Sequence, residues 1–480
     1  MALDTSLGLS GIITNKIRIT DNNLFLIEGD DDITAGDLLT VVNVHRERLS
    51  AEYKKKHAYY TGQHPILEKA AKESYKPDNR LMFNFPRKAV NSFNGFFVGT
   101  PVKIDSDDKE ADKKIAAWMK QIDFDDVTAE VAKMASEYGQ AYYLLFQDSE
   151  EDKNGRYQTL VAPQSPTHSF LIYDATFKQK VRYGVIYRKD THNRLEITLY
   201  DSKGYYVYNE TTAKNGYLNG GQGFTHPYGI VPLIEAPENE ERIGLCDDVF
   251  TLVDAYDNAL SAKSNDVDYF ADAYLKITGA VVEKNDIAKI RDDRVINVAN
   301  EGGGNADANF MVKPSADDTQ EHLLNRLLDA MYQISNVVNL NDDSFSGNIS
   351  GVALQMKFQA MSDMAKVKAL KFRKALRQII TGVSNAKDMG LDVSELKIKF
   401  TQTIPHNVTE EAQLVSQLYG KVPTKILLGQ LSFITDPDKA LEELRAEQNV
   451  NATGVSNLIQ NAIGGADNGS NQAGDGAKNS

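Results

Sequence analysis

Two sets of charged side chains in this 480-residue sequence are spaced so that they could do chemistry. From Asp247 to Leu275 there is no Pro or Gly. At about 100° per residue, Asp247, Asp254, Asp257, Asp268 and Asp272 gather nearly opposite Val249, Leu252, Val253, Tyr256, Leu260, Val267, Phe270 and Tyr274. Two-metal nucleases assemble carboxylates around a phosphodiester, but their carboxylates converge, whereas these spread over about five turns of one helix. Two other readings fit better: a solvated face, or the negative lining of a passage that must not bind DNA. From Gly351 to Ile380 the sign reverses. Lys357, Lys366, Lys368, Lys371, Arg373, Lys374 and Arg377 stand against one acid, Asp363, around a narrow stripe of Leu354, Phe358, Met361, Ala365, Phe372, Leu376 and Ile379. That basic set reads as a solvated or helix–helix surface, or as one that faces DNA or a neighbouring copy.

Other chemistries find no support. Gly302-Gly303-Gly304 lacks a following lysine, and Gly220-Gly221-Gln222-Gly223 leads toward Pro227 rather than a helix, so both read as turns and not as phosphate-cradling loops. The eight histidines (His45, His57, His64, His168, His192, His226, His322 and His406) show no metal-ligand spacing, and no Gly-x-Ser-x-Gly elbow occurs. Cys246 is the single cysteine, which excludes an internal disulfide. Beside Asp247 and Asp248 its thiol is expected to resist ionisation. Apolar residues make up 41% and charged residues 25%, ordinary for a folded water-soluble chain. The longest apolar run, Ala141 to Phe146, is far short of the ~20 residues a membrane span needs. With no basic-then-apolar start, a secretory leader is not expected and a cytoplasmic chain is. The balance of 53 Lys and Arg against 67 Asp and Glu, a net −14, argues against tight general DNA binding.

The elements that must position these residues follow from periodicity. Helices are predicted from Asp37 to about Tyr60, Pro86 to Phe97, Asp108 to Met119 and Val127 to Tyr138. A β-rich stretch follows, with strands at Ala141–Gln147, Phe170–Tyr173, Val181–Arg188, Leu195–Tyr200 and Gly204–Tyr208, separated by Gly, Asn and Asp turns. The helix from Asp247 would reach about 43 Å. Residues 276 to 313 read as a small α/β insertion, and a second long helix, with Ser315 as N-cap, carries Leu324, Leu327, Leu328, Met331, Ile334 and Val338. A helical hairpin with a small domain at its bend would explain that order. Asn339 to Ser350 is a polar loop with one aromatic, Phe345, and loops so placed are more often functional or mobile than inert. A strand is predicted over Val393–Thr401, helices over Thr409–Tyr419, Pro423–Gly429 and Pro437–Gln448, and a polar disordered tail thereafter.

Several motifs in this frame resemble a known family. Tyr59-Tyr60-x-Gly62, Lys76-Pro77-x-Asn79-Arg80 and Phe93-x2-Phe96-Phe97-x-Gly99-x-Pro101 resemble the wing segment of tailed-bacteriophage portal proteins, in the branch typified by siphoviruses of Gram-positive hosts. His226-Pro227-Tyr228-Gly229-x-Val231-Pro232-Leu233-Ile234-Glu235, Leu252-x-Asp254-Ala255-Tyr256, Asn265-Asp266, Phe270-Ala271-Asp272-Ala273-Tyr274-Leu275, Gly279 and Ser350-Gly351-Val352-Ala353-Leu354 continue the likeness, which runs from about residue 40 to 400.

The resemblance implies an α+β, multi-domain portal fold assembled as a ring, usually of twelve, at one capsid vertex, through which double-stranded DNA is packaged and later ejected. It divides the chain into an N-terminal arm (1–36), an α/β wing (37–246), stem helices (247–275 and 316–338), a small α/β clip (276–315), a tunnel loop (339–350), a long basic helix (351–380), a helical crown (381–448) and a flexible tail (449–480). On that frame Asp254, Asp257, Asp268 and Asp272 would line the channel. Asn341, Asp342, Asp343, Ser344, Phe345 and Ser346 would form an acidic tunnel loop, and Lys284, Lys289, Arg291 and Arg294 of the clip would dock the motor. The implied partners are the terminase large subunit, the major capsid and scaffolding proteins and a head–tail adaptor, with no membrane and no cofactor. The place implied is the virion, after assembly in the host cytoplasm. The alternative is a metal-dependent phage DNA-processing enzyme, which would turn over DNA with a divalent metal as a monomer or dimer.

Overall fold

The computed structural model describes residues 11–73, 76–151, 157–210, 218–271, 275–278, 307–310, 317–340, 351–387, 393–403, 408–431, 433–434 and 437–447. The chain divides into two units, one of residues 1–340 and 359–403, the other of residues 341–358 and 404–480.

Three short strands open the first unit, β1 (Gly11–Ile12), β2 (Ile17–Ile19) and β3 (Phe25–Ile27). Thr34 then starts α1 (Ala35–Val44) with a capping box: its hydroxyl accepts from the Asp37 amide at 3.1 Å, and the Asp37 carboxylate accepts from the Thr34 amide. The helix runs through a π turn at His45–Leu49 into α2 (Ser50–Thr61), which Gly62 ends in the left-handed region at φ +84°. Asn84 caps α3 (Phe85–Val98), with Pro86 in its first turn. After β4 (Lys103–Asp105) come α4 (Lys109–Gln121), capped by Asp108, and α5 (Phe124–Tyr138).

The strand-rich stretch holds β5 (Gln140–Glu151), β6 (Tyr157–Gln164), β7 (Ser169–Asp174), β8 (Val181–Lys189), β9 (Leu195–Tyr200), β10 (Gly204–Glu210), β11 (Leu218–Thr225) and β12 (Leu233–Pro237). Long helices follow: α6 (Phe250–Ala271), then β13 (Leu275–Thr278) and β14 (Asp307–Phe310), then α7 (Asp317–Ser335) and α8 (Gly351–Lys387). A short strand, β15 (Lys397–Lys399), pairs with β4. The second unit contains α9 (Val408–Leu418), α10 (Thr424–Leu428) and α11 (437–447).

The main sheet has eight strands in the order β1-β2-β3-β7-β8-β9-β10-β11. Period-two alternation gives it two buried faces. Phe25, Ile27, Phe170 and Ile172 pack with Leu38, Val41 and Val42 of α1 on one side. Leu26, Leu171 and Tyr173 meet Tyr142 of β5 and Leu233 of β12 on the other. β12, β5 and β6 form a second sheet, and Trp118 of α4 anchors to it by donating its indole N–H to the Thr159 carbonyl at 2.9 Å.

The mixed α and β architecture agrees with the predicted class, with three departures. Residues 11–27 do not form a separate arm. They supply three strands of the main sheet, and Ile17, Ile19, Phe25 and Ile27 are buried there. Gly220-Gly221-Gln222-Gly223 is not a turn. It lies in β11, where Gly220 and Gly221 at φ +118° and +83° accommodate the bulge opposite Val207 and Tyr208. The strand predicted over Val393–Thr401 shortens to β15 behind a 3-10 turn at Val393–Glu395. Most of the predicted α/β insertion, residues 279–306 and 311–313, and the tail from residue 449 lie outside the described residues.

Candidate functional site

The acidic side of α6 is a seam within the chain. Asp257 is fully buried. Its Oδ2 lies 2.6 Å from His64 Nδ1, and its Oδ1 accepts from the Phe83 amide at 2.7 Å. His64 Nε2 faces the Tyr59 carbonyl at 3.1 Å, so both ring nitrogens are engaged within the chain. One turn earlier, the Tyr59 hydroxyl donates to both oxygens of Asp254, at 3.0 and 2.9 Å. Burial and then this carboxylate push the Tyr59 phenol well above its ordinary range. Further along, Ser261 Oγ accepts from the Leu81 amide at 2.9 Å, Asn265 Oδ1 accepts from the Asn79 amide at 2.6 Å, and Asn79 donates through its side chain to Asp268. Positions 254, 257, 261, 265 and 268 recur every three or four residues, so they form one stripe. That stripe satisfies the backbone of the extended segment before α3.

Asp257 is therefore corrected as a channel-lining residue: its carboxylate faces His64 and an amide, not solvent. Asp254 is half-buried and engaged by Tyr59, and Asp268 is exposed. Asp272 lies outside the described residues, as do Asn341, Asp342, Asp343, Ser344, Phe345 and Ser346 of the predicted tunnel loop and Lys284, Lys289, Arg291 and Arg294 of the predicted clip.

The basic helix also divides. Lys368 is 1% exposed and is corrected as a solvent- or DNA-facing group. Its ammonium pairs with Glu238 at 2.6 Å, donates to Ser136 Oγ at 2.7 Å and to the Ala132 carbonyl at 2.8 Å, and lies 5.0–5.5 Å from the ring centroids of Phe93, Phe97 and Phe372. Burial pushes the Glu238 carboxyl up and the Lys368 ammonium down, and each partner counters the other's shift. Lys371 pairs with Glu240, and Arg373 donates to the Ile398 carbonyl at 3.1 Å. Lys357 is half-buried. Lys366, Lys374 and Arg377 are exposed, Lys366 beside Asp363 at 2.8 Å. The stripe of Phe358, Met361, Ala365, Phe372, Leu376 and Ile379 is buried as its spacing required.

Three partners here escape sequence reading: His64, Glu238 and the Phe83 amide. Each lies more than a hundred positions from the group it meets, so no local pattern joins them. Cys246 is buried, and burial followed by Asp247 holds its thiol far above the ordinary range, as its neighbours suggested. Among the described residues no group of three or more His, Cys, Asp or Glu is placed to hold a metal, and no helix is long and apolar enough to cross a membrane.

α6 and α7 pack together, with Lys263 paired to Glu321 and Gln320 donating to Asp266 at 3.2 Å. The strands that follow α6 and precede α7 pair antiparallel. The pair is thus a helical hairpin ending in a strand ladder. The model of the family described as phage portal protein, SPP1 Gp6-like, matches residues 40–453. The chain belongs to this family. The portal protein of Bacillus phage SPP1 is 24% identical over 453 residues, covering 86% of this chain and 84% of that protein. The portal protein of Clostridium phage phiCD119 is 22% identical over 447 residues, covering 84% and 94%. Both come from phages of Gram-positive bacteria, the branch to which the motifs pointed. As a phage portal protein the chain is a structural component of the virion.

Proposed function

We propose that copies of this chain form a ring of about twelve at one capsid vertex. Genomic DNA would be driven in through its channel by a docked terminase and released through it after a head–tail adaptor binds. The observation that carries this reading is the portal-family match over residues 40–453. The α6–α7 hairpin supports it, serving as the stem, with the segment between β13 and β14 as the clip that carries Lys284, Lys289, Arg291 and Arg294. The wing then begins at residue 11 rather than 37, since β1–β3 belong to its sheet.

The electrostatic reading loses Asp257, which is buried within the chain. The exposed Asp268, together with Asp272 and the tunnel-loop acids Asp342 and Asp343, which lie outside the described residues, remain candidates for a wall that repels phosphate, so that DNA slides hydrated while the motor's ATP hydrolysis supplies the work. Asp257 and Lys368 serve the subunit's own packing. The test is the mass of the purified protein by light scattering, with negative-stain images. Rings of about twelve or thirteen copies with a central hole are expected. A monomer at every salt concentration would overturn the ring, and divalent-metal-dependent DNA cleavage by that monomer would support the DNA-processing enzyme instead.

A further inference from the structure

The connection between β7 and β8 displays a phenylalanine on a turn that is firmly tied. Asp174 Oδ1 accepts from the Thr176 amide at 3.1 Å and from its hydroxyl at 2.5 Å, and the Lys178 amide donates to Thr176 Oγ1 at 3.3 Å. The Gln179 amide donates to the Thr176 carbonyl, and the Asp174 amide to the Lys180 carbonyl at 2.8 Å. These bonds to Thr176 hold the Asp174 carboxyl below its usual range. Phe177, at 111% relative exposure, stands wholly in solvent on this frame. Lys178 and Lys180 follow it on the turn, and neither is within salt-bridge distance of a carboxylate among the described residues, though the Lys180 charge acts on Asp174. Single exposed apolar side chains are ordinary. An aromatic already ordered on a turn that also carries two cations, however, is how an interface anchor is built, since little freedom remains to be lost on binding.

The same unit carries a recess of matching character. A groove of about 770 Å³ opens between β4, α4 and the start of α5. Ile104, Met119 and Phe124 give it an apolar floor, and Asp105, Asp123, Asp125 and Asp126 stand around it, against Lys103 and Lys120. Asp123, held at φ +49°, opens α5 without capping it by its side chain. Neither it nor Asp125 or Asp126 has a side-chain hydrogen bond or ion pair among the described residues. Burial raises the Asp125 carboxyl, so its charge would gain from a cation nearby.

We infer that Phe177 of one copy inserts into this groove on the next copy, with Lys178 and Lys180 meeting the rim aspartates. The inference rests on the ring reading above and names one contact by which such a ring is joined. Among the described residues no residue of the turn lines the groove of its own chain, so the contact is one that a second copy would make. Unlike patches meeting head to tail leave one knob and one groove open at each step, and that pattern repeats until it closes as a ring. An isologous pair would not use it.

The test uses the full chain with Phe177→Cys and Met119→Cys together. Cys246 does not compete, being buried with its thiol held protonated. Oxidation is expected to give a ladder of chain multiples up to the whole ring, which neither single variant gives. Rings in negative stain without a ladder would overturn this contact and leave the ring reading standing, whereas the absence of any ring would overturn both. In a second measurement, Lys178→Glu with Lys180→Glu should raise the concentration for half-assembly about tenfold, and adding Asp125→Lys with Asp126→Lys should restore it. A loss without restoration, or no loss, would overturn the pairing.

Discussion

Asp257 and Asp268 lie on one stripe of α6, and burial alone gives them different roles. Asp257 has no solvent to fall back on: removing it strands His64 and the Phe83 amide in the interior. Asp257→Ala should therefore lower the stability of the full chain by about 3–5 kcal/mol, and Asp268→Ala by under about 1 kcal/mol. Urea midpoints would check the pair, and equal effects would refute the burial argument. His45 supplies a pH dependence. Its ring stacks on Phe170 at 4.6 Å, Nδ1 faces the Tyr187 hydroxyl at 2.9 Å, and burial pushes its pKa from 6.5 down to about 3. The unfolded chain therefore binds a proton across that window while the folded chain does not. Stability is full above pH 6.5 and is lost as pH falls toward 3, and the shift of His168, also lowered by burial, runs the same way. His45→Gln should flatten the fall in urea midpoint between about pH 7 and about pH 5, and an unchanged slope would exclude His45 as its source.

Lys368 joins α8 to α5 and to the turn after β12 through Ser136, Ala132 and Glu238. Breaking a buried pair from one side leaves a bare charge, whereas replacing both partners leaves none. Lys368→Met alone is expected to lower stability by about 3–5 kcal/mol, and Lys368→Met with Glu238→Gln to recover most of it. Additive losses would mean that the two charges do not act as a pair. This joint also marks how far the sequence could be read. The period of α8 reveals its buried stripe, because Phe358, Met361, Phe372 and Leu376 recur at helical spacing. Lys368 reads as one more surface lysine, because only the folded chain brings Glu238 and three phenylalanine rings around it. The α6 carboxylates were legible as a stripe but not as a seam, since their partners come from residues 59–83. β2 and β3 are only three residues each, and their place in the sheet depends on a parallel pairing of β3 with β7 across more than a hundred residues. Local pattern gives the face of an element, and long-range pairing decides what that face meets.

At the scale of the whole molecule, each copy carries a net −14, and the ring proposed above would bring those charges together. Repulsion of that kind acts at long range, so salt weakens it as the Debye length falls from about 30 Å at 0.01 M to about 8 Å at 0.15 M. In such a ring apolar surface would supply the opposing attraction, and the long helices expose it. Val267 is 62% exposed, Leu323 51%, Ile334 49% and Leu370 60%, while Val253, Leu324 and Met331 are already covered within the chain. Burying a side chain of this kind contributes about 1.5–3 kcal/mol, and a ring repeats that gain at every joint. Assembly should consequently tighten as salt rises from about 0.01 to about 0.15 M, even though local lysine–aspartate contacts weaken, because partly buried pairs are screened far less than exposed charges. Leu323→Ser with Ile334→Ser should raise the concentration for half-assembly by at least about tenfold and leave the urea midpoint of the dissociated chain nearly unchanged, since both side chains are about half in water there. Sedimentation across protein and salt concentrations would read both effects. Assembly that loosens with salt would show that attraction between charges, rather than buried apolar surface, holds the copies together.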